Sequence, residues 1–311
     1  MFIIALTYAL VACTAACLSA TTSHSAILLS FAGVTIAVLG VPHGGLDHWT
    51  GKRLLQPRCG KGWPLVFFPS YLCIGFAVAW AWSHFPVPTI LGFFLLSSWH
   101  FGREACPNAS PIAAISCGGL LIWTVAWVRP EEMRFLLQGT LGNFSSYSAL
   151  AIVDSTRAMG CLFFPTGLLL TIRDACLPKL NRVGLCNYLA QIATILLSVM
   201  TPIVVSFTLY FCLWHSLLGL QRLRREEGLR WCPFLRSVFP LSAVALAIVV
   251  MVTLSRVDLF RAGFQQSTQM KMVFVGLASL AVPHVVVQEF ASRYAAHGQT
   301  LPSPLSWKVV G

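Results

Sequence analysis

Eight histidines stand in the chain, and four of them, His43, His100, His215 and His284, lie in or at the end of long apolar stretches: "GVPHGGLDH", "SSWHFGREA", "FCLWHSLLGL" and "AVPHVVVQEF". An ionisable side chain near hydrocarbon is costly without a partner, so each is a candidate for function. Neutral imidazole is also the commonest protein ligand for iron, copper and zinc, and facing helices of a bundle are a usual scaffold for a metal centre. Three of the four have a polar group at i+4: Asp47 after His43, Glu104 after His100, Gln288 after His284. Where a helix runs through such a pair, the second residue shares the face and orients the imidazole by accepting its other ring proton. The alternative, open where Gly44 and Gly45 can break the helix, is a set of helix-end residues in contact with water.

The elements that must carry these residues are membrane helices. Of the 311 residues, 57% are hydrophobic and 10% charged, far from the soluble balance. Uncharged runs near the roughly 20 residues needed to cross a bilayer recur throughout. This predicts one all-α, polytopic integral membrane helix bundle over residues 1–311, with 8 to 10 transmembrane helices, a retained N-terminal helix and a short polar tail at 291–311. The runs are read at 2–20, 25–43, 64–82, 86–101, 111–128, 159–172, 185–200, 202–220, 237–254 and 272–290. As one helix, 185–220 would measure about 54 Å against a hydrocarbon core of about 30 Å, and Pro202 is the natural break.

With the N-terminus inside and ten crossings, 15 of the 21 Lys and Arg fall on the inner side and six on the outer, the bias expected of cytoplasmic loops in a multi-pass protein of the cell inner (plasma) membrane. The net charge of +11 therefore sets orientation and does not point to nucleic acid. In this topology the four histidines share the inner leaflet. His24 and His84 fall on the outer side and His297 in the tail, with no catalytic role. The 11 cysteines are scattered, with no CxxC pair, so neither a disulfide framework nor a zinc ribbon is indicated.

The four histidine segments, in this order and roughly this spacing, resemble the Brp/Blh family of membrane-integral β-carotene 15,15′-dioxygenases, over about residues 30–290. The resemblance implies central cleavage of β-carotene by iron(II) and O2 to two molecules of retinal, with delivery to a rhodopsin as a further possibility. Carried over by position, the catalytic iron-ligand histidines are His43, His100 and His215. The family has another histidine four residues after the last of these, where this chain has Gly219. His284 is the candidate to replace it, the alternative being water in a three-histidine site. Around the ligands, Asp47, His48, Glu104 and Gln288 are candidate supports, and Trp49, Trp99, Phe101 and Trp214, which flank the histidines in sequence, are candidate aromatic faces for a polyene, the alternative being an aromatic belt at the membrane interface.

An all-imidazole shell adds no negative charge, so iron(II) stays cationic with positions open for O2. A hydrolytic zinc would more usually show a carboxylate or thiolate ligand. An opsin would need a lysine deep in a helix, and Lys271 is at the edge of its span. The HxxxH and HxxHH boxes of a desaturase are absent. Two alternatives stay open: a non-catalytic carotenoid- or retinal-binding homologue, suggested by Gly219, and a haem-binding membrane protein using paired histidines.

Overall fold

The computed structural model describes residues 2–18, 32–105, 109–141, 146–176, 182–226, 228–255 and 266–296, which include no strand. In chain order the helices are α1 (Phe2–Leu18), α2 (residues 32–44), α3 (Asp47–Cys59), α4 (Trp63–His84), α5 (Pro86–Ala105), α6 (Pro111–Gly118), α7 (Leu120–Val128), α8 (Pro130–Leu141), α9 (Ser146–Cys176), α10 (Arg182–Met200), α11 (residues 203–226), α12 (Trp231–Ser255) and α13 (Gln266–Ala296). The last extends into the expected polar tail, while His24 and His297 lie outside the described residues.

Large apolar side chains such as Leu65, Phe76, Leu169, Phe239 and Phe290 point outward, whereas many buried positions hold small or hydroxylated residues. That distribution suits a bundle in lipid, where helix association relies on close packing and internal hydrogen bonds. Buried hydroxyls return to their own helix: Ser98, Thr156 and Thr201 donate to the carbonyls of Phe94, Ile152 and Leu197. α5 and α6 meet where Gly102 faces the backbone of Ala114 and Gly118 faces that of Ser98, leaving no room for a Cβ at either glycine. α1 buries Ala5, Tyr8 and Ala12 against Cys186, Ala190, Ala193 and Leu197 of α10.

A helix stands at each of the ten expected positions, but the number long and apolar enough to cross a membrane is smaller than the expected eight to ten. Four qualify among the described residues, or five with α6 and α7 counted as one span bent by 53°. The shortfall has local causes. The apolar parts of α1 and α10, Ile3–Ala15 and Gly184–Met200, are shorter than a full crossing, and α5 dilutes its apolar run with Pro86, Pro88, Ser97, Ser98 and His100.

The break at Pro202 is present, with α10 ending at Met200 and α11 starting at Ile203. Glu132 accepts the Ile203 N–H at 2.6 Å, and Arg129 donates to the Val199 carbonyl at 2.9 Å while pairing with Glu132 at 3.3 Å. One ion pair thus satisfies orphan groups of both helix ends. Glu132→Ala should destabilise the bundle by about 1–3 kcal/mol, read as a lowered unfolding midpoint in detergent; an unchanged midpoint would show that the clip contributes nothing.

Candidate metal centre

Four helices bring their histidines to one point. His43 follows the π-helical stretch Ile36–Gly40 of α2, and His215 lies inside a second, Tyr210–Ser216, in α11. Such insertions re-aim side chains within a continuous helix and recur at functional sites. His100 comes from α5 and His284 from α13. Ring centroids are 4.7 Å apart for His43 and His215, 4.8 Å for His43 and His284, 5.4 Å for His100 and His215, and 5.3 Å for His100 and His284.

Ligand atoms of His43, His100 and His215 lie within 4.8 Å of one another, so these three can hold one metal ion. Both ring nitrogens of His43, Nε2 of His100 and Nε2 of His284 are buried without a hydrogen-bond partner among the described residues. Unspent lone pairs facing a common centre are what a metal ion requires and what an ordinary core avoids. The four neighbouring ring pairs, with centroids 4.7 to 5.4 Å apart, stand too close to hold a porphyrin plane between them.

The carboxylates serve these histidines, but not the ones their spacing suggests. Helix α2 ends in a turn at Gly45 and Leu46 before α3 begins, so Asp47 leaves the face of His43 and accepts from Nδ1 of His284 at 2.8 Å. Glu104 crosses from α5 to Nδ1 of His215 at 2.5 Å, and Gln288 reaches Asp47 at 3.5 Å. Neither carboxylate is a solvated helix end: Asp47 is 4% exposed and the Glu104 side chain 11%. With Nδ1 committed to a carboxylate, Nε2 of each ring is the nitrogen left for a metal.

Two residues outside the sequence-based set support the carboxylates. The Tyr71 hydroxyl on α4 donates to Asp47 at 2.8 Å and lies 3.3 Å from the Leu280 carbonyl; Arg222 donates to the Glu104 carbonyl at 2.7 Å. The available signal for Tyr71 was a phenol within the apolar run "FFPSYLCIGF", but no spacing ties it to Asp47. His48 turns away from the cluster to the Gly45 carbonyl at 3.1 Å, and Trp49 packs with Leu46, Leu220, Phe234 and Val238. Phe101 lies against His215 with centroids 4.6 Å apart, and Trp214 packs against Tyr8 at 5.9 Å. Trp99 is partly buried on α5. Gly219 sits directly beneath His43, where a Cβ would overlap the imidazole and come within 3.0 Å of Glu104. Any side chain there displaces His43 rather than adding a ligand beside it.

Comparison with known proteins gives the family. The family described as β-carotene 15,15′-dioxygenase matches residues 34–291. The chain is 23% identical over 283 residues to the β-carotene 15,15′-dioxygenase of uncultured marine bacterium 66A03, covering 86% of this chain and 95% of that one. It is 25% identical over 239 residues to the probable β-carotene 15,15′-dioxygenase Blh of Halobacterium salinarum, covering 71% and 67%. No solved structure matches. With the family match running from the π-helical stretch before His43 to beyond His284, this chain belongs to the β-carotene 15,15′-dioxygenase family.

Proposed function

We propose that the chain cleaves β-carotene at its central double bond with O2, releasing two molecules of retinal, at an iron(II) ion held by His43, His100, His215 and His284. The observation that carries this reading is the convergence of buried imidazole nitrogens that lack any other partner. Iron suits an all-imidazole shell: it leaves the ion cationic and able to activate O2 by electron donation when bound. The O=O bond and the central C=C bond break, and each of the two carbons keeps one oxygen atom. Two aldehydes account for all atoms and electrons, and no external reductant enters.

The protein's own part is placement. Asp47 and Glu104 hold the Nδ1 protons of His284 and His215, fixing tautomer and ring orientation. The surrounding apolar helices keep water from a reaction whose substrate partitions into hydrocarbon, and the polyene enters sideways from the bilayer of the cell inner membrane. Phe101, the expected aromatic face that lies against the His215 ring, helps set the register of a long chain that offers no polar handle. Retinal released into the same bilayer is available to a rhodopsin.

Expression in cells that accumulate β-carotene tests the reading: bleaching with retinal formation is expected, and unchanged pigment beside well-folded, iron-loaded protein would refute it. His43→Ala, His100→Ala, His215→Ala and His284→Ala should each abolish retinal formation and deplete bound iron, and full iron content in any of them would remove that residue from the ligand set. Asp47→Asn and Tyr71→Phe, which leave all four imidazoles in place, should weaken metal affinity by about 10–100-fold, as measured by competitive chelation; wild-type affinity would show the chain from Tyr71 to His284 to be incidental. Gly219→Ala should lower iron content by pushing His43 aside, and an iron-replete, active variant would show that His43 has room the structure does not give it.

A further inference from the structure

Beside the histidine cluster lies a cavity of about 560 Å³ walled by α5, α6, α7, α9, α10 and α11, within the size range of small-molecule sites, roughly 300–1,000 Å³. Phe101 forms the wall it shares with the cluster, standing 4.6 Å from the His215 ring and 5.3 Å from the Tyr210 ring. The lining is not that of a hydrocarbon slot. Leu120, Leu121 and Trp214 line it together with Tyr210, Gln191 and Thr194.

The state of those polar groups narrows the occupant. The Thr194 hydroxyl is already spent, donating to the Ala190 carbonyl at 2.7 Å and paired with Tyr8 at 2.9 Å. Thr171 donates its one hydroxyl proton to the Gly167 carbonyl at 2.7 Å, so its contact with Gln191 is made by the Gln191 amide donating to the Thr171 oxygen. The Tyr210 hydroxyl has no hydrogen-bond partner among the described residues, although the residue is only 7% exposed. One donor without an acceptor therefore lines the chamber next to the cluster. A pure hydrocarbon filling it would strip its water and return nothing. A ligand carrying an acceptor oxygen restores the hydrogen bond, and a site built to bond such an oxygen discriminates against the analogue that lacks it.

Resting on the reading above, in which β-carotene is cut to two aldehydes, we infer that this cavity is a product site: it takes up a polyene aldehyde of the retinal class and bonds its carbonyl oxygen through the Tyr210 hydroxyl. The hydrocarbon substrate has no oxygen to offer this donor, and the product acquires one in the reaction. The site thus favours removal of retinal from the cluster over entry of a second β-carotene. Ala105, Ser110 and Arg173 stand at the loop-side ends of α5, α6 and α9 and also line it, so the chamber leads from the middle of the bundle toward the polar loops.

The test is equilibrium binding to full-length, metal-depleted protein in nanodiscs, read by quenching of tryptophan fluorescence, with borohydride-trapped lysine adducts subtracted. The probes are all-trans-retinal and axerophthene, the same polyene with a methyl group in place of the aldehyde. Retinal should bind about tenfold more tightly, and Tyr210→Phe should remove most of that ratio while its affinity for axerophthene stays at the wild-type value, which guards against a folding defect. Equal affinities in the wild type, or an unchanged ratio in Tyr210→Phe, would overturn the product site. β-Carotene turnover, assayed alongside on iron-loaded protein, separates the two readings. Cleavage without retinal preference sinks the product site alone, and retinal preference without cleavage sinks the dioxygenase reading while leaving an aldehyde-binding cavity.

Discussion

An imidazole taken out of water must find a partner for two ring nitrogens at once, and this requirement organises the centre of the bundle. His284 and His215 meet half of it with carboxylates from other helices, Asp47 of α3 and Glu104 of α5. Each bond ties two helices; the Asp47 carboxylate is tied again to Tyr71 of α4, and the backbone carbonyl of Glu104 to Arg222 of α11. The result is two braced pairs whose remaining nitrogens lie toward His43 and His100. A metal ion would join the pairs, so its binding energy would also be cohesion of the bundle.

The helical class, the break at Pro202 and the four histidines could all be read from the sequence, because they depend on composition, on the missing N–H of proline and on the rarity of imidazole in apolar runs. The partners of those histidines could not. Spacing offered Asp47 as a partner of His43 and Glu104 as a partner of His100, against water-contacting helix ends as the alternative, but i+4 reasoning holds only along an unbroken helix. The turn at Gly45 and Leu46 rotates Asp47 off that face, while the partner of Glu104 comes from a helix more than a hundred residues away. Tyr71 and Arg222 act through tertiary contacts with no local signature. The same holds for Gly219: in sequence it is a missing histidine, and in space it is the floor on which the His43 ring rests.

The number of crossings was overestimated for a related reason. Hydropathy reads "PIAAISCGGLLIWTVAWV" as one span, but Gly118 and Gly119 bend it by 53°. Backbone hydrogen bonds continue across the bend, Gly119 N–H to the Ile115 carbonyl at 3.0 Å and Trp123 N–H to the Gly119 carbonyl at 2.9 Å, and the Trp123 indole adds a second bond to the Ile115 carbonyl at 3.1 Å, as irregular helix inside a membrane requires. Residues on both sides of the bend, Cys117 and Gly118 before it and Leu120 and Leu121 after it, line the cavity beside the histidines. A straight helix packed as closely against α5 as Gly102 and Gly118 allow would close that space. The bend that spoils a regular span is what leaves room for a ligand one side chain away from the cluster.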